Sequence, residues 1–203
     1  MALKIPNTPK KQKQDITISS TEAPEPLKAN DKEILLEAVN KQIEMELHTE
    51  KMYWSIAIWA AHKGLTGTYK FFYKRAEEER KHATDFVNIA LLCDKQPTLA
   101  FNLPEDVIKY DDLQSVLNSV YEQEQLVTKS IFELKQLATN KGNAKLMRLA
   151  SKYLNEQVEE EAWALSLVKL AEKAKDNLYD FDLAIEELLE DGDHMLPKPS
   201  VFE

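Results

Sequence analysis

The feature that most constrains the fold is a set of four long stretches in which apolar residues recur at helical spacing. One of these stretches begins at Leu65. Counting by threes and fours from there gives one face of an α-helix: Leu65, Tyr69, Phe72, Ala76, Glu79, Ala83, Phe86 and Ala90. All but one of these residues are apolar or small, so the face is predicted to be buried. The exception is a carboxylate, Glu79.

The same spacing runs through the other three stretches, and each of their apolar faces also carries one glutamate. These residues are Glu46, Glu124 and Glu160, each close to the middle of its stretch. Four helices packed in one bundle would bring all four glutamates to the same level of a shared core. Lone glutamates on a helix face are ordinary, but four at one level are not.

The predicted helices span residues 31–63, 66–93, 112–140 and 144–175, with a short fifth helix at 180–190. Their starts are marked by capping signals at Asn30 with Glu33, at Asp111 with Gln114, and at Asn143. The connection from 94 to 111 is too long for a tight hairpin and could run the length of the bundle. The sequence therefore predicts an all-α four-helix bundle with a long crossover, in which the second and third helices are parallel.

Composition supports one helical domain. The chain has 203 residues with only 4 Gly and 8 Pro, which is little turn material for an all-β fold. We expect a flexible N-terminal arm at 1–30, the bundle at 31–190 and a tail at 191–203. The arm lacks the apolar run of a signal peptide, and it contains Ser and Thr but no Arg, which disfavours an organelle transit peptide.

Charge and cysteine usage limit the environment and the partners. The net charge of −9 argues against a general nucleic-acid binder and is compatible with cation handling. Cys93 is the only cysteine, so no intrachain disulfide requires an oxidising compartment. No stretch approaches the ~20 apolar residues of a membrane span. We therefore expect a cytoplasmic protein with neither a nucleic-acid nor a membrane partner.

Clustered carboxylates in an apolar core need a partner, because burying one unpaired charge costs several kcal/mol or forces protonation. No lysine lies on the four predicted faces. Divalent cations fit better, and His82 adds an imidazole one helical turn after Glu79. Carboxylates with one imidazole form a ligand set for iron, manganese or zinc. The shared level of four glutamates suggests two metal ions.

Four segments, EMELHTEKMYW, AEEERKHA, YEQEQLV and LNEQVEEE, resemble the helical signatures of prokaryotic-type non-haem ferritins. The resemblance covers about residues 31–190. It implies a four-helix subunit with a short fifth helix, assembled into a hollow homo-oligomer of twenty-four subunits. Such a shell oxidises Fe(II) with O₂ at a di-iron centre, which is ferroxidase activity, and stores ferric mineral inside.

The resemblance also implies roles for individual residues. Glu46, Glu79 and His82 would form the first iron site, and Glu79 would bridge to a second site completed by Glu124 and Glu160. Gln157 and Tyr53 would lie beside this centre and take part in its reaction, and Gln157 would also bind metal. A third iron site facing the cavity would use Glu78, Glu156 and Glu159 together with Glu160. The alternative for these three is a solvated acidic helix face.

The sequence departs from related families in three places. The fourth helix reads Gln157-Val158-Glu159-Glu160, without the second Glu-x-x-His of bacterioferritins, so oxygen alone would hold the second iron. Arg80 stands where bacterioferritins carry their haem-binding methionine, so no haem is expected. The segment NAKLMRLASKY is basic and apolar, which puts the usual acidic route for iron in doubt.

Two other functions stay open at this stage. One is a different di-iron oxidase or peroxidase of the same fold, acting on an organic substrate or on peroxide. The single histidine argues against it. The other is a metal-free helical bundle that binds a partner, which would leave the four buried glutamates without an explanation.

Overall fold

A computed structural model describes residues 27–99, 112–175 and 177–190 and contains five helices, with no strand in those ranges. The helices are α1 Ala29–Lys63, α2 Thr66–Leu92, α3 Leu113–Asn140, α4 Ala144–Ala174 and α5 Leu178–Glu190. The predicted all-α fold is confirmed. Most of the predicted N-terminal arm and all of the predicted tail lie outside the described residues, so those divisions stay predictions. None of the described helices has the length and apolar character needed to cross a membrane.

The four long helices form two antiparallel hairpins that pack face to face. Gly64 ends α1 in the left-handed conformation at φ 76°, which lets the chain reverse into α2. Gly142, at φ 70°, plays the same part between α3 and α4. Contacts of Gln42 with Ser130 and of Tyr53 with Glu124 show that α1 and α3 are antiparallel. It follows that α2 and α3 are parallel, as predicted from the length of the connection between them.

The predicted apolar faces meet inside the bundle and form two clusters of buried side chains. One cluster surrounds Tyr53 and Phe72 and includes residues of α5. The other surrounds Ile43 and Phe86, towards the opposite end. A layer of buried polar side chains separates the two clusters: Glu46, Glu79, Glu124 and Gln157.

The prediction that these faces are buried is wrong at one residue. Tyr69 is 38% exposed and lies against the ring of Tyr73 at the surface. The reason is α5, which packs on Gly67 and Thr68 and so turns the buried side of α2 towards those residues at this end.

Two of the three predicted capping signals are also wrong. Helix α1 begins after Lys28 without a side-chain cap, and Glu33 pairs with Lys95 instead of closing a capping box. At α3 the cap is Asp112, whose Oδ1 accepts a hydrogen bond from the Ser115 backbone N–H at 2.7 Å. The prediction at Asn143 is confirmed, because its Oδ1 accepts from the Leu146 N–H at 3.1 Å.

Helix α2 receives its cap from another helix. Its own N-cap residue, Leu65, has no capping side chain. Asp182 of α5 accepts hydrogen bonds from the backbone N–H and the hydroxyl of Thr68, both at 2.7 Å, and from the Gly67 N–H at 3.3 Å. A Cβ at Gly67 would lie 2.6 Å from the Asp182 carbonyl oxygen, so glycine permits this approach. The buried carboxylate of Asp182 thus caps the N-terminus of α2, where the helix dipole is positive, and holds α5 against it.

We predict that Asp182→Ala lowers the free energy of unfolding by about 1–2 kcal/mol, because it removes the cap of α2. Guanidinium unfolding of the metal-free protein measures the change. Glu187→Ala, on the same helix but outside the cap, is the matched control and should have little effect. Equal stability of the two variants would contradict the capping role.

Candidate metal centre

Two overlapping groups of side chains lie at the middle of the bundle. Within each group, ligand atoms of all three residues are within 4.8 Å of one another. The groups are Glu46, Glu79, His82 and Glu79, Glu124, Glu160. Each long helix contributes at least one member, and α2 contributes the shared residue, Glu79. The structure therefore brings together all five side chains that the sequence placed at this level, while their role as metal ligands stays a prediction.

Glu46 is held by one oxygen and has the other available. Its side chain is completely buried, and its Oε1 accepts a hydrogen bond from Gln42 Nε2 at 2.7 Å. The side-chain oxygen Oε1 of Gln42 accepts a hydrogen bond from the Ser130 hydroxyl at 2.5 Å, which fixes the orientation of the side-chain amide. Among the described residues, Glu46 Oε2 has no hydrogen-bond partner. A buried oxygen without a donor is costly unless a cation or a proton occupies it.

His82 points one ring nitrogen towards the shared carboxylate. Its Nδ1 lies 3.3 Å from Glu79 Oε2, and its Nε2 lies 3.7 Å from Glu156 Oε2. The ring rests on Tyr153 with centroids 4.7 Å apart, and the Tyr153 hydroxyl donates to Asp85 at 2.6 Å. This packing positions the imidazole at the edge of the first group, where it could serve as a nitrogen ligand.

Glu124 receives two side-chain donors, and both are residues that the sequence placed beside the centre. Tyr53 donates its hydroxyl hydrogen to Glu124 Oε1. Gln157 Nε2 donates to Glu124 Oε2 at 3.0 Å and to the Glu124 carbonyl oxygen at 3.3 Å. Gln157 therefore presents its nitrogen to the carboxylate and acts as a positioning group in this arrangement. A direct metal-binding role for Gln157 stays a prediction.

Glu160 differs from the other three carboxylates because a cation lies against it. Arg75 NH1 is 3.3 Å from Oε1 and 3.5 Å from Oε2, and Trp163 Nε1 also donates to Oε2. Arg75 was not predicted from the sequence, because only lysines on the apolar faces were considered as partners. The available signal was spacing: Arg75 lies one turn before Glu79 and one turn after Phe71.

Burial raises the pKa values of all four carboxyl groups, and nearby carboxylates add to the rise. For Glu46 and Glu124 the pKa lies well above the usual value because of burial first and a neighbouring carboxylate second. Burial and the nearby Glu160 raise the pKa of Glu79 to about 8. Burial raises the pKa of Glu160, and the positive charge of Arg75 opposes this rise. Without a metal ion, carboxyl groups in this layer therefore hold protons near neutral pH.

The residues predicted for a third iron site are less closely gathered. Among the described residues, no group of metal-compatible side chains includes Glu78, Glu156 or Glu159. Glu78 pairs with Arg75 at 2.9 Å, and Glu156 lies 3.5 Å from Lys152. Glu159 is exposed. The third site stays a prediction.

Known proteins match this chain over most of its length. A relative named bacterial non-heme ferritin from Escherichia coli is 25% identical over 151 residues, which cover 73% of this chain and 91% of the relative. Ferritin BfrB from Mycobacterium tuberculosis is 29% identical over 147 residues, covering 71% and 79%.

Solved structures give the same picture. An open-pore ferritin from the archaeon Archaeoglobus fulgidus superposes with a TM-score of 0.71 at 28% identity, covering 76% of this chain and 95% of that one. Apo-ferritin from Pseudo-nitzschia multiseries superposes with a TM-score of 0.69 at 25% identity, covering 74% and 98%. The family model described as a ferritin-like domain matches residues 36–174. The chain belongs to the ferritin family.

Proposed function

We propose that this protein is a ferroxidase and an iron store, which oxidises Fe(II) with O₂ and retains the ferric product as a mineral inside a hollow homo-oligomer. Membership of the ferritin family supports iron storage and ferroxidase activity at the level of the family. The observation that carries the proposal for this chain is the pair of buried ligand groups that share Glu79.

In this proposal iron is the substrate, and the side chains divide it between two positions. Glu46 and His82 hold one Fe(II), Glu124 and Glu160 hold the other, and Glu79 bridges them. Anionic oxygen ligands stabilise Fe(III) more than Fe(II), because the electrostatic attraction grows with the charge of the ion. The site therefore favours loss of one electron from each iron, and the two electrons together reduce one O₂ to the level of peroxide.

The protons on the buried carboxyl groups have a defined fate. Carboxyl groups bind metal in the ionised form, so metal binding releases the protons that the apo centre holds. Tyr53 and Gln157 keep Glu124 oriented while its proton is replaced by a metal ion. Metal binding at this centre thus exchanges protons for iron.

The ligand types also fit a site that passes its product on. The second group offers oxygen ligands alone, whereas the first has His82. Each group offers only three ligand residues, so both positions keep room for water and O₂, which suits turnover of iron better than a permanent cofactor. We accordingly propose that this centre turns iron over and does not retain it. We also propose that the protein binds no haem.

Assembly into a shell is part of the proposal. The solved relatives include an apo-ferritin and an open-pore ferritin. On α1 of this chain, Trp54 and Ile58 are 50% and 57% exposed one turn apart, and subunit contacts would cover such apolar surface. We propose a homo-oligomer of twenty-four subunits. Size-exclusion chromatography with light scattering would measure its molar mass and so the number of subunits.

The proposed reaction predicts rapid oxidation of about two Fe(II) per subunit, followed by slower mineral growth. Glu79→Ala should slow the rapid phase by more than about 100-fold, because both groups lose their shared ligand. Stopped-flow absorbance under O₂ measures the phase. Glu44→Ala changes an exposed glutamate of α1 and should behave as wild type. A rapid phase that survives in Glu79→Ala would contradict the assignment.

The metal-free protein should lose stability as pH rises from about 4.5 to about 8. In that interval Glu79 of the unfolded chain has ionised, near the ordinary glutamate pKa of 4.5, while the folded group keeps its proton up to a pKa of about 8. The folded state therefore binds more protons, and raising the pH favours unfolding. Guanidinium unfolding at several pH values, with metal chelated, measures the slope.

Replacing Glu79 and Glu124 together by Gln should stabilise the metal-free protein at pH 8 by about 1–4 kcal/mol per subunit, since it removes buried ionisable groups. The same change should abolish stabilisation by added metal. The matched control replaces two exposed glutamates, Glu44 and Glu133, by Gln. A double variant at the centre that is less stable than this control would count against strained, clustered carboxylates.

A further inference from the structure

Arg75 places a buried cation beside the second ligand group. Only 14% of its side chain is exposed. Its NH1 lies 3.3 and 3.5 Å from the two oxygens of Glu160 and 2.9 Å from Glu78 Oε2. One guanidinium nitrogen therefore joins a carboxylate inside the centre to a carboxylate outside it.

Aromatic rings hold this guanidinium in place. It lies 4.9 Å from the Trp163 ring centroid and 5.4 Å from that of Phe71. Trp163 is buried and donates its indole N–H to Glu160. Among the described residues, Arg75 Nε is buried and has no hydrogen-bond partner. The position of Arg75 therefore depends on the rings and on the two carboxylates.

The two ligand groups consequently differ before any metal arrives. In the first group, Glu46 Oε2 has no donor within the described part of the chain, so a metal ion that binds this oxygen has only a proton to replace. In the second group, Arg75 and Trp163 already satisfy the oxygens of Glu160. A metal ion that binds Glu160 must replace this charge-assisted contact.

We propose that Arg75 is a positioning residue that competes with metal for Glu160 and thereby weakens the second metal position relative to the first. Metal ions then fill the first group before the second. When the second ion arrives, Arg75 gives up Glu160 and keeps its contact with Glu78, at the outer edge of the centre. This inference rests on the proposed di-iron function and adds a residue that sets the difference between its two positions.

The test is anaerobic calorimetry with Zn(II), a redox-inert probe, on the metal-free protein. Wild type should bind two ions per subunit with unequal affinities. Arg75→Gln, which removes the charge but keeps a polar side chain, should raise the second affinity by about 10-fold or more and leave the first within about 3-fold. Arg75→Lys, which keeps the charge, should stay within about 3-fold of wild type at both positions.

Arg80→Gln is the matched control. It removes the same charge from the same helix, but Arg80 is 65% exposed and pairs with Glu50. Its two affinities should equal those of wild type. If Arg75→Gln and Arg80→Gln have the same affinity for the second ion, the inference is overturned while the two-metal centre stands. If neither wild type nor Arg75→Gln binds two ions, the proposed centre fails, and this inference fails with it.

Tryptophan fluorescence separates competition from a purely structural role. If Arg75 leaves Glu160 when the second Zn(II) binds, the surroundings of the Trp163 indole change at that point of the titration. We expect an emission change that begins after the first equivalent and is absent in Trp163→Phe. A change complete at the first equivalent, or a lower guanidinium midpoint of Arg75→Gln without altered affinities, would overturn the proposal.

Discussion

Burying four carboxyl groups at one level of an apolar bundle imposes a free-energy cost that the rest of the molecule is organised to offset. Burial and nearby carboxylates raise the pKa of each group, that of Glu79 to about 8. Two apolar clusters, one on each side of this layer, supply the packing that stabilises the folded bundle around it. The bundle can bear this cost because apolar burial stabilises it by about 25 cal/mol for each square ångström removed from water. The carboxylate layer is, in this sense, a local source of instability in the metal-free bundle.

The donors around the layer set the differences among its carboxylates. Gln42 serves Glu46, and both Tyr53 and Gln157 serve Glu124. These donors are neutral, so they orient the groups without cancelling charge. Glu160 instead faces a guanidinium, which carries a full positive charge. The chemical asymmetry of the layer therefore comes from the residues next to the four carboxylates as much as from the carboxylates themselves.

Much of the fold could be predicted because helical periodicity depends on the order of residues alone. The four apolar faces, the glutamate on each and the parallel course of α2 and α3 follow from spacing and from the length of one connection. The helix caps were harder to predict. Whether Asp112 caps α3 depends on the local backbone geometry, and Asp182 caps α2 only because a distant helix, α5, packs there. Tyr69 was misplaced for the same reason, since α5 decides which side of α2 is covered. The gathering of the four glutamates was predictable to a similar depth, because residues on the apolar faces could be placed at one level. The contact of Arg75 with Glu160 could not be predicted, since it forms only when α4 packs across α2.

The most direct test of the central claim, that these carboxylates form a two-metal centre, is anomalous diffraction at the iron edge from crystals soaked anaerobically with Fe(II). Two peaks are predicted in every subunit. One should lie among Glu46, Glu79 and His82, and the other among Glu79, Glu124 and Glu160. Iron found only at surface carboxylates, with the buried layer empty, would contradict the claim.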